Sequence, residues 1–560
     1  MEVATLKTTE NFNISRYLPE MARRYPDQPA VVTGVGRDST GKVIYTQNTF
    51  AELDRESDAY AWGLTAYGIE RGKRVLLMVR PGLPLISLTF ALFKAGCIPI
   101  LIDPAMGIRN LSVCIEECRP DALIGIERAH LARLIFRNAF RSVDKLVTVG
   151  QRWGWGGATL EELRVNLETP FPVEAMRSED EAAILFTTGS TGVPKGVLYE
   201  HGMFNAQCDL LRELYGIEPG EVDMPAFPLF ALFNVAMGTT SAIPDLDPTR
   251  PAACDPAKVV EIIKDQQVTM TFGSPAIWNK VSQYCLEHGI RLPTLRRVLM
   301  AGAPVPLHLH QRFQSILDPF ADTYTPYGAT ESLPSSSIGG QEILDVTAAR
   351  NDITAGTCVG RPAPGVTMRI IAITDREIPE WDDNLMLPPY QIGEIAVKGA
   401  MVTKQYVNRP QSTRLAKIHE GQEVWHRMGD LGYFDDENRL WFYGRKSHRV
   451  ELSNQCLYTE PCEMIFNQHA DVYRSALVGF QHNGETVAAM VIEPEAGRMP
   501  HNEADRTRLV EELRALGAQH SMTAGITIIL FHPSFPVDIR HNAKIFREKL
   551  AVWAEKQVGN

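Results

Sequence analysis

Ten consecutive residues, Thr187-Thr188-Gly189-Ser190-Thr191-Gly192-Val193-Pro194-Lys195-Gly196, carry three glycines, four hydroxyl side chains and one lysine. An apolar run, Ala182 to Phe186, precedes them, and β-branched Val197 and Tyr199 follow. A loop of this kind offers backbone N–H groups, hydroxyls and one fixed cation to a polyphosphate. Glycine allows the close backbone approach that such an anion requires. A plain surface turn would use Gly, Ser, Thr and Pro as well, but it needs neither the lysine nor this density of donors. Pro194 before Lys195, and a strand rather than a helix after it, separate this loop from the P-loop of kinases and GTPases.

Three further groups have residue types suited to nucleotide chemistry. Tyr327-Gly328-Ala329-Thr330-Glu331 places a hydroxyl and a carboxylate together after a glycine turn, which suits Mg²⁺ beside phosphates; a helix N-cap with an acidic first turn is the structural alternative. Gly429-Asp430, followed by Gly444-Arg445, offers a carboxylate for a ribose diol and a guanidinium for the same hydroxyls or a phosphate. Without such a role, Gly429-Asp430 reads as a hairpin turn. Lys544, in a basic tail, can offset the charge that accumulates when a carboxylate attacks ATP.

The loop and these groups closely resemble the adenylate-forming superfamily of acyl-CoA ligases, luciferases and peptide-synthetase adenylation domains, over nearly the whole chain. The resemblance implies ATP and Mg²⁺ as cofactors. It assigns Thr187, Thr188, Gly189, Ser190, Thr191, Gly192 and Lys195 to the β- and γ-phosphates, and Gly302, Ala303 and Pro304 to the adenine. Tyr327 and Gly328 lie by the adenine, Thr330 contacts phosphate, Glu331 holds the metal, and Asp430 and Arg445 bind ribose. Lys544 would meet the carboxylate and the α-phosphate, with Lys549 as the fallback, because Ala543 stands where the family has glycine. Lys544, Thr330, Glu331 and Lys195 form the expected catalytic set. The run Pro228 to Met237 matches the acyl pocket, with Phe230, Ala231, Leu232, Phe233, Asn234 and Met237 as its lining.

Three departures weaken the case for CoA. Ala231 stands where many ligases have histidine, Ser447 where the family's hinge has lysine or aspartate, and Asn454 where the pantetheine passage has glycine. The tail Phe535 to Leu550 looks like that of the olefin-biosynthesis β-lactone synthetases, a group within the superfamily. That narrower resemblance implies activation of a long-chain 2-alkyl-3-hydroxy acid as acyl-AMP, then closure by its own hydroxyl. It also implies possible assembly with the other olefin-pathway enzymes, a β-lactone decarboxylase and a reductase. A long-chain acyl-CoA ligase and a non-catalytic nucleotide-binding scaffold are the alternatives. His201, His448 and His541 are the candidates for the base that takes the hydroxyl proton.

The elements that must position these groups alternate. The chain has 560 residues, 44% hydrophobic and 22% charged, with a formal net charge of −11, which disfavours general nucleic-acid binding. Nine scattered cysteines lack zinc spacing; with no secretory signal in view, reduced thiols and a cytoplasmic location are expected. The apolar stretch Leu83–Leu101, broken by Pro84, Lys94, Gly96 and Pro99, reads as a helix and strand and not a membrane span. Thr49 and Glu52 predict a capping box opening a helix, and helices are predicted at 17–25, 86–95, 259–266 and 309–317. Strands alternate with them at 75–79, 99–102, 269–272 and 322–324, which argues for βαβ units. Beyond residue 365 the pattern turns β-rich, with strands at 368–373, 393–398, 440–442 and 450–452. The fold class expected is α/β. A large N-terminal domain (1–444) of βαβ subdomains plus a β-rich subdomain leads through a hinge (445–448) to a small mobile α+β C-terminal domain (449–560).

Overall fold

The computed structural model describes residues 11–103, 106–187, 194–247, 250–350, 352–537 and 544–559, apart from the side chain of residue 349. The α/β expectation holds. Two large sheets have mainly parallel interiors. The seven-stranded sheet runs Ala158–Thr159, Lys145–Thr148, Ala122–Gly125, Arg74–Met78, Ile98–Leu101, Glu181–Phe186, Gly196–Glu200 in spatial order. All neighbours pair in parallel except the last two, which form an antiparallel hairpin around the glycine-rich loop. The nine-stranded sheet has Met270–Gly273, Arg297–Met300 and Asp322–Ala329 side by side, with Ser332–Gly339 antiparallel to the last. Its Val222–Pro225, Thr240–Ile243 and Pro29–Arg37 strands continue the parallel order.

The predicted helices form, with shifted ends. Phe50–Ala66 opens on Thr49, whose hydroxyl accepts the Glu52 N–H while the Glu52 carboxylate accepts the Thr49 N–H. Such a box stabilises a helix by about 1 kcal/mol. Leu83–Lys94 begins earlier than expected because Pro84 fits the first turn, where its missing N–H costs nothing. Lys94 is 1% exposed, and its ammonium lies 2.6 Å from Asp54 and 2.5 Å from Asp58, so the one cation of this apolar helix is paired twice. No helix among the described residues is long and apolar enough to cross a membrane.

A third, six-stranded antiparallel sheet holds Thr357–Cys358, Leu440–Arg445, Glu423–Phe434, Gly393–Lys398 and Thr367–Ile371, with Lys417–Glu420 paired to the long strand. The last part of the chain packs helices Thr459–Phe466, Glu503–Ala518 and Arg547–Val558 with strands Val472–His482, Glu485–Pro494 and Ile528–Phe531. Between the two large sheets lies helix His201–Tyr215, which buries Met203, Phe204, Cys208, Leu210 and Leu211.

Two structural alternatives to the site readings are excluded by the fold. Thr330 and Glu331 do not cap a helix; they form the turn between antiparallel strands Asp322–Ala329 and Ser332–Gly339. Asp430 is not in a hairpin turn; it sits within strand Glu423–Phe434.

Candidate active site

The phosphate loop is held at its neck. The Thr187 N–H donates to the Lys195 carbonyl at 3.0 Å, and the Lys195 N–H donates to the Thr187 hydroxyl at 3.2 Å. Thr188, Gly189, Ser190, Thr191 and Gly192 lie outside the described residues. Strand Gly196–Glu200 is the edge of its sheet, and residues 405–407 lie along it. The Leu198 N–H donates to the Gln405 carbonyl at 3.3 Å, and the Val407 N–H to the Gly196 carbonyl at 2.8 Å. This pairing brings Tyr406 over the loop, with its ring centre 4.8 Å from the Lys195 ammonium. Burial pulls the Lys195 pKa down, and the Glu331 carboxylate opposes that shift.

The Thr330–Glu331 turn is gripped from the edge strand and from the connecting segment that carries Thr403 and Tyr406. Tyr199, on the edge strand, donates to the Thr330 carbonyl. The Tyr406 hydroxyl donates to Glu331 Oε1 at 2.6 Å. The Thr403 N–H donates to the Glu331 carbonyl at 3.0 Å, and its hydroxyl to the same oxygen at 3.2 Å. Gly328 is required just before this turn: a Cβ there would stand 2.4 Å from the Ser332 carbonyl oxygen. Lys417, 1% exposed, donates to the Thr403 carbonyl, and burial pushes its pKa down to about 7 against the pull of Glu331. Beside it, burial and then the Lys417 charge hold His426 well below the ordinary histidine range, so its ring is neutral.

The third group is built by strand pairing. Asp430 and Arg445 are cross-strand partners on Glu423–Phe434 and Leu440–Arg445. The Arg445 Nε lies 3.1 Å from Asp430 Oδ1, while the Tyr327 hydroxyl donates to Oδ2 at 2.7 Å. The Arg445 contact is an ion pair without hydrogen-bond alignment, so Oδ1 is buried with no hydrogen-bond partner among the described residues. An orphaned carboxylate oxygen of this kind suits a ligand hydroxyl. Burial raises the Asp430 pKa; Arg445, the Tyr327 hydroxyl and Lys544 oppose it. Lys544 therefore reaches the same electrostatic neighbourhood from the far end of the chain. It stands ahead of helix Arg547–Val558, not inside it. Gly302, Ala303 and Pro304 follow strand Arg297–Met300, and Gly302 takes φ +90°, a left-handed turn that favours glycine.

Lys195, Arg445 and Lys544 act electrostatically on Glu331 and Asp430, so cations outnumber carboxylates even without the buried Lys417. That surplus suits a triphosphate and a second anion. Glu331 fits Mg²⁺ of the kind shared with phosphates, since that ion commonly takes one or two carboxylates. Among the described residues no cluster of three or more His, Cys, Asp or Glu forms a cage for a resident metal.

Two small, partly open apolar cavities flank helix Phe230–Met237. Phe230, Phe233, Asn234 and Met237 line the first, and Leu232 and Phe233 the second. Ala231 lines neither; it packs into the core with Leu18, Phe50 and Val235. Asn234 is buried, and its amide donates to Asp223 at 2.7 Å and Ser241 at 3.0 Å.

Of the candidate bases, His201 is buried away from the turn. Its Nδ1 accepts the Ile14 N–H at 3.2 Å, and burial takes its pKa to about 4. His448 is held near 3 by burial, then by Arg547 and Arg445. A ring so weakly basic is a poor proton acceptor near neutrality. His541 lies outside the described residues. Tyr406, Thr403, Lys417 and Tyr199 escaped the sequence reading because they are isolated residues on strands and connecting segments. Only Tyr199 lies near a motif.

Residues 18–407 match the family of AMP-binding enzymes, which is most of the chain. The protein belongs to that family. This AMP-binding enzyme is 47% identical over 552 residues to an olefin beta-lactone synthetase of Xanthomonas campestris pv. campestris, covering 97% of this chain and 98% of the relative. A long-chain-fatty-acid–CoA ligase of Thermus thermophilus is 24% identical over 80% of each chain. Among solved structures, the AMP-binding enzyme superposes on an amide bond synthetase from Marinactinospora thermotolerans with TM-score 0.77 at 22% identity, over 96% of this chain and 99% of that one. That likeness shows the adenylate-forming fold.

Proposed function

We propose that the protein activates a long-chain 2-alkyl-3-hydroxy fatty acid with ATP and closes the acyl-adenylate to a β-lactone, releasing pyrophosphate and AMP. The observation that carries this reading is 47% identity, along almost the full length of both chains, to an enzyme named olefin beta-lactone synthetase. The site chemistry supports the first half. An anionic carboxylate attacks the α-phosphorus, the α–β bridging bond breaks, and pyrophosphate leaves. Lys195 and Lys544 offset the charge that accumulates, without reorganising at the moment of reaction. Asp430 and Arg445 hold the ribose, Tyr327 lies by the adenine and aims the Asp430 carboxylate, and Glu331 would hold Mg²⁺. Bound with the phosphates, that ion would supply charge neutralisation on the pyrophosphate.

In the second half, the 3-hydroxyl oxygen attacks the acyl carbonyl, the carbonyl–phosphate C–O bond breaks, AMP departs, and the hydroxyl proton passes to the departing phosphate or to water. Holding the hydroxyl and the carbonyl in one bound molecule makes the step intramolecular, and good alignment can supply roughly 7–11 kcal/mol. Two parts of the chain then have distinct tasks. Residues 1–444 bind ATP and acid; 449–560 bring Lys544 through a hinge at 445–448. In support, the Lys544 charge acts on Asp430 of the larger part.

Mass spectrometry of products from ATP and a racemic 2-alkyl-3-hydroxy acid, with and without CoA, tests the reading. The expected result is a β-lactone in equal amount in both, and a 3-deoxy acid that stops at the adenylate. Thioester from the deoxy acid on adding CoA overturns it in favour of an acyl-CoA ligase.

A further inference from the structure

The two cavities beside helix Phe230–Met237 are separate chambers with one wall in common, the ring of Phe233. The first lies among Leu211, Met237, Met270, Phe272 and Leu299 and extends to Pro326, next to Tyr327 of the nucleotide site. The second lies among Ile14, Phe93, Ala183, Leu185, Phe204 and Cys208. Its wall strand Glu181–Phe186 runs straight into the phosphate loop. Phe204 links that chamber to the reacting end: it stacks on Tyr199 at 4.8 Å between ring centres, and the Tyr199 hydroxyl holds the Thr330 carbonyl. Phe204 also meets Phe233 at 6.0 Å. The chambers thus lie on opposite sides of Phe233, one toward each large sheet.

A single straight acyl chain needs one such chamber. An acid branched at C2 has two alkyl arms leaving adjacent carbons, and both must be taken out of water for the hydrophobic gain to be realised. Burying only one would leave the other arm exposed beside the nucleotide. We propose that each cavity takes one arm of a 2-alkyl-3-hydroxy acid, with Phe233 as the partition that separates the arms and so orients the carboxylate and hydroxyl. The proposal rests on the function proposed above for its substrate class. It adds a second acyl chamber, on the seven-stranded-sheet side of the helix.

Helix His201–Tyr215 provides a matched test, because Cys208 lines the second cavity and Leu211, one turn on, lines the first. Cys208→Trp and Leu211→Trp each fill one chamber; Cys208→Leu and Leu211→Phe are milder versions should the tryptophans fail to fold. Two isomeric acids are compared, one with a long C2 arm and a short C3 arm, the other reversed. Pyrophosphate release is read for each, so the result does not depend on which product forms later. The expected outcome is reciprocal: each variant loses about tenfold or more in kcat/KM for one isomer and keeps the other, the two variants losing opposite isomers. Equal loss of both isomers in both variants, or no loss in either, overturns the two-chamber assignment. So does equal loss of a long unbranched acid in both variants, which would mean that one chain threads both cavities. Reciprocal selectivity with thioester in place of lactone would uphold the chambers and overturn the β-lactone reading. Pyrophosphate release from neither isomer by the unaltered protein would overturn both.

Discussion

Asp430 and Arg445 are fifteen positions apart in sequence, yet they face each other across adjacent strands, with Arg445 Nε 3.1 Å from Asp430 Oδ1. The Tyr327 hydroxyl takes the other carboxylate oxygen at 2.7 Å. The carboxyl is thereby aimed, and Arg445 and the Tyr327 hydroxyl oppose the upward pull of burial on its pKa.

Asp430→Asn keeps the shape and removes the charge. A hydrogen bond to a charged group contributes about 1.5–3 kcal/mol, so KM for ATP should rise roughly tenfold to a hundredfold. Steady-state kinetics at saturating acid checks this. An unchanged KM would exclude Asp430 from ribose binding.

Lys544→Ala should abolish most adenylation and spare ATP binding, because its charge acts on the reacting groups. Removing one preorganised donor costs roughly 10²–10³-fold in rate. Calorimetric ATP binding and pyrophosphate release on the same preparation separate the two effects. Pyrophosphate release at the normal rate would pass the role to Lys549.

Glu331→Gln should lower activity and shift the Mg²⁺ titration to higher concentration. Tyr406→Phe should shift it in the same direction by less, since it removes only the hydroxyl that aims Glu331 Oε1. A Mg²⁺ curve identical to the parent's in Glu331→Gln would reduce Glu331 to a turn residue.

Lys417 predicts a pH dependence of stability. Folded, it releases its proton near 7; unfolded, near its ordinary 10.5. Between those values the unfolded chain holds the extra proton, so the contribution of this lysine to stability rises with pH across that window and is least favourable at or below 7. Urea midpoints of the parent and of Lys417→Met, taken at pH 7 and 9.5, should diverge, with the parent gaining relative to the variant at the higher pH. A constant difference would mean that Lys417 does not titrate in that range.

The sequence determined the chemistry and most of the elements. The capping residues Thr49 and Glu52, the period of the buried strands and the clustered donors around Lys195 are local properties, set by residue types within a few positions of one another. The sequence also marked Glu331, Asp430, Arg445 and Lys544 as a set. It did so through a resemblance, because nothing local in an isolated lysine announces a partner a hundred residues away.

Tertiary structure alone decided what surrounds them. Residues 405–407 align with the edge strand through backbone hydrogen bonds, which any side chains could have made, and that alignment brings Tyr406 to Glu331. Lys94, a break in an apolar run when read in sequence, becomes a buried cation held by Asp54 and Asp58. The run Pro228–Met237 read as one pocket; folding turns Phe230 and Met237 to one cavity, Leu232 to another, and Ala231 into the core. A helix points successive residues about 100° apart, so which face meets which space depends on the sheets packed around it.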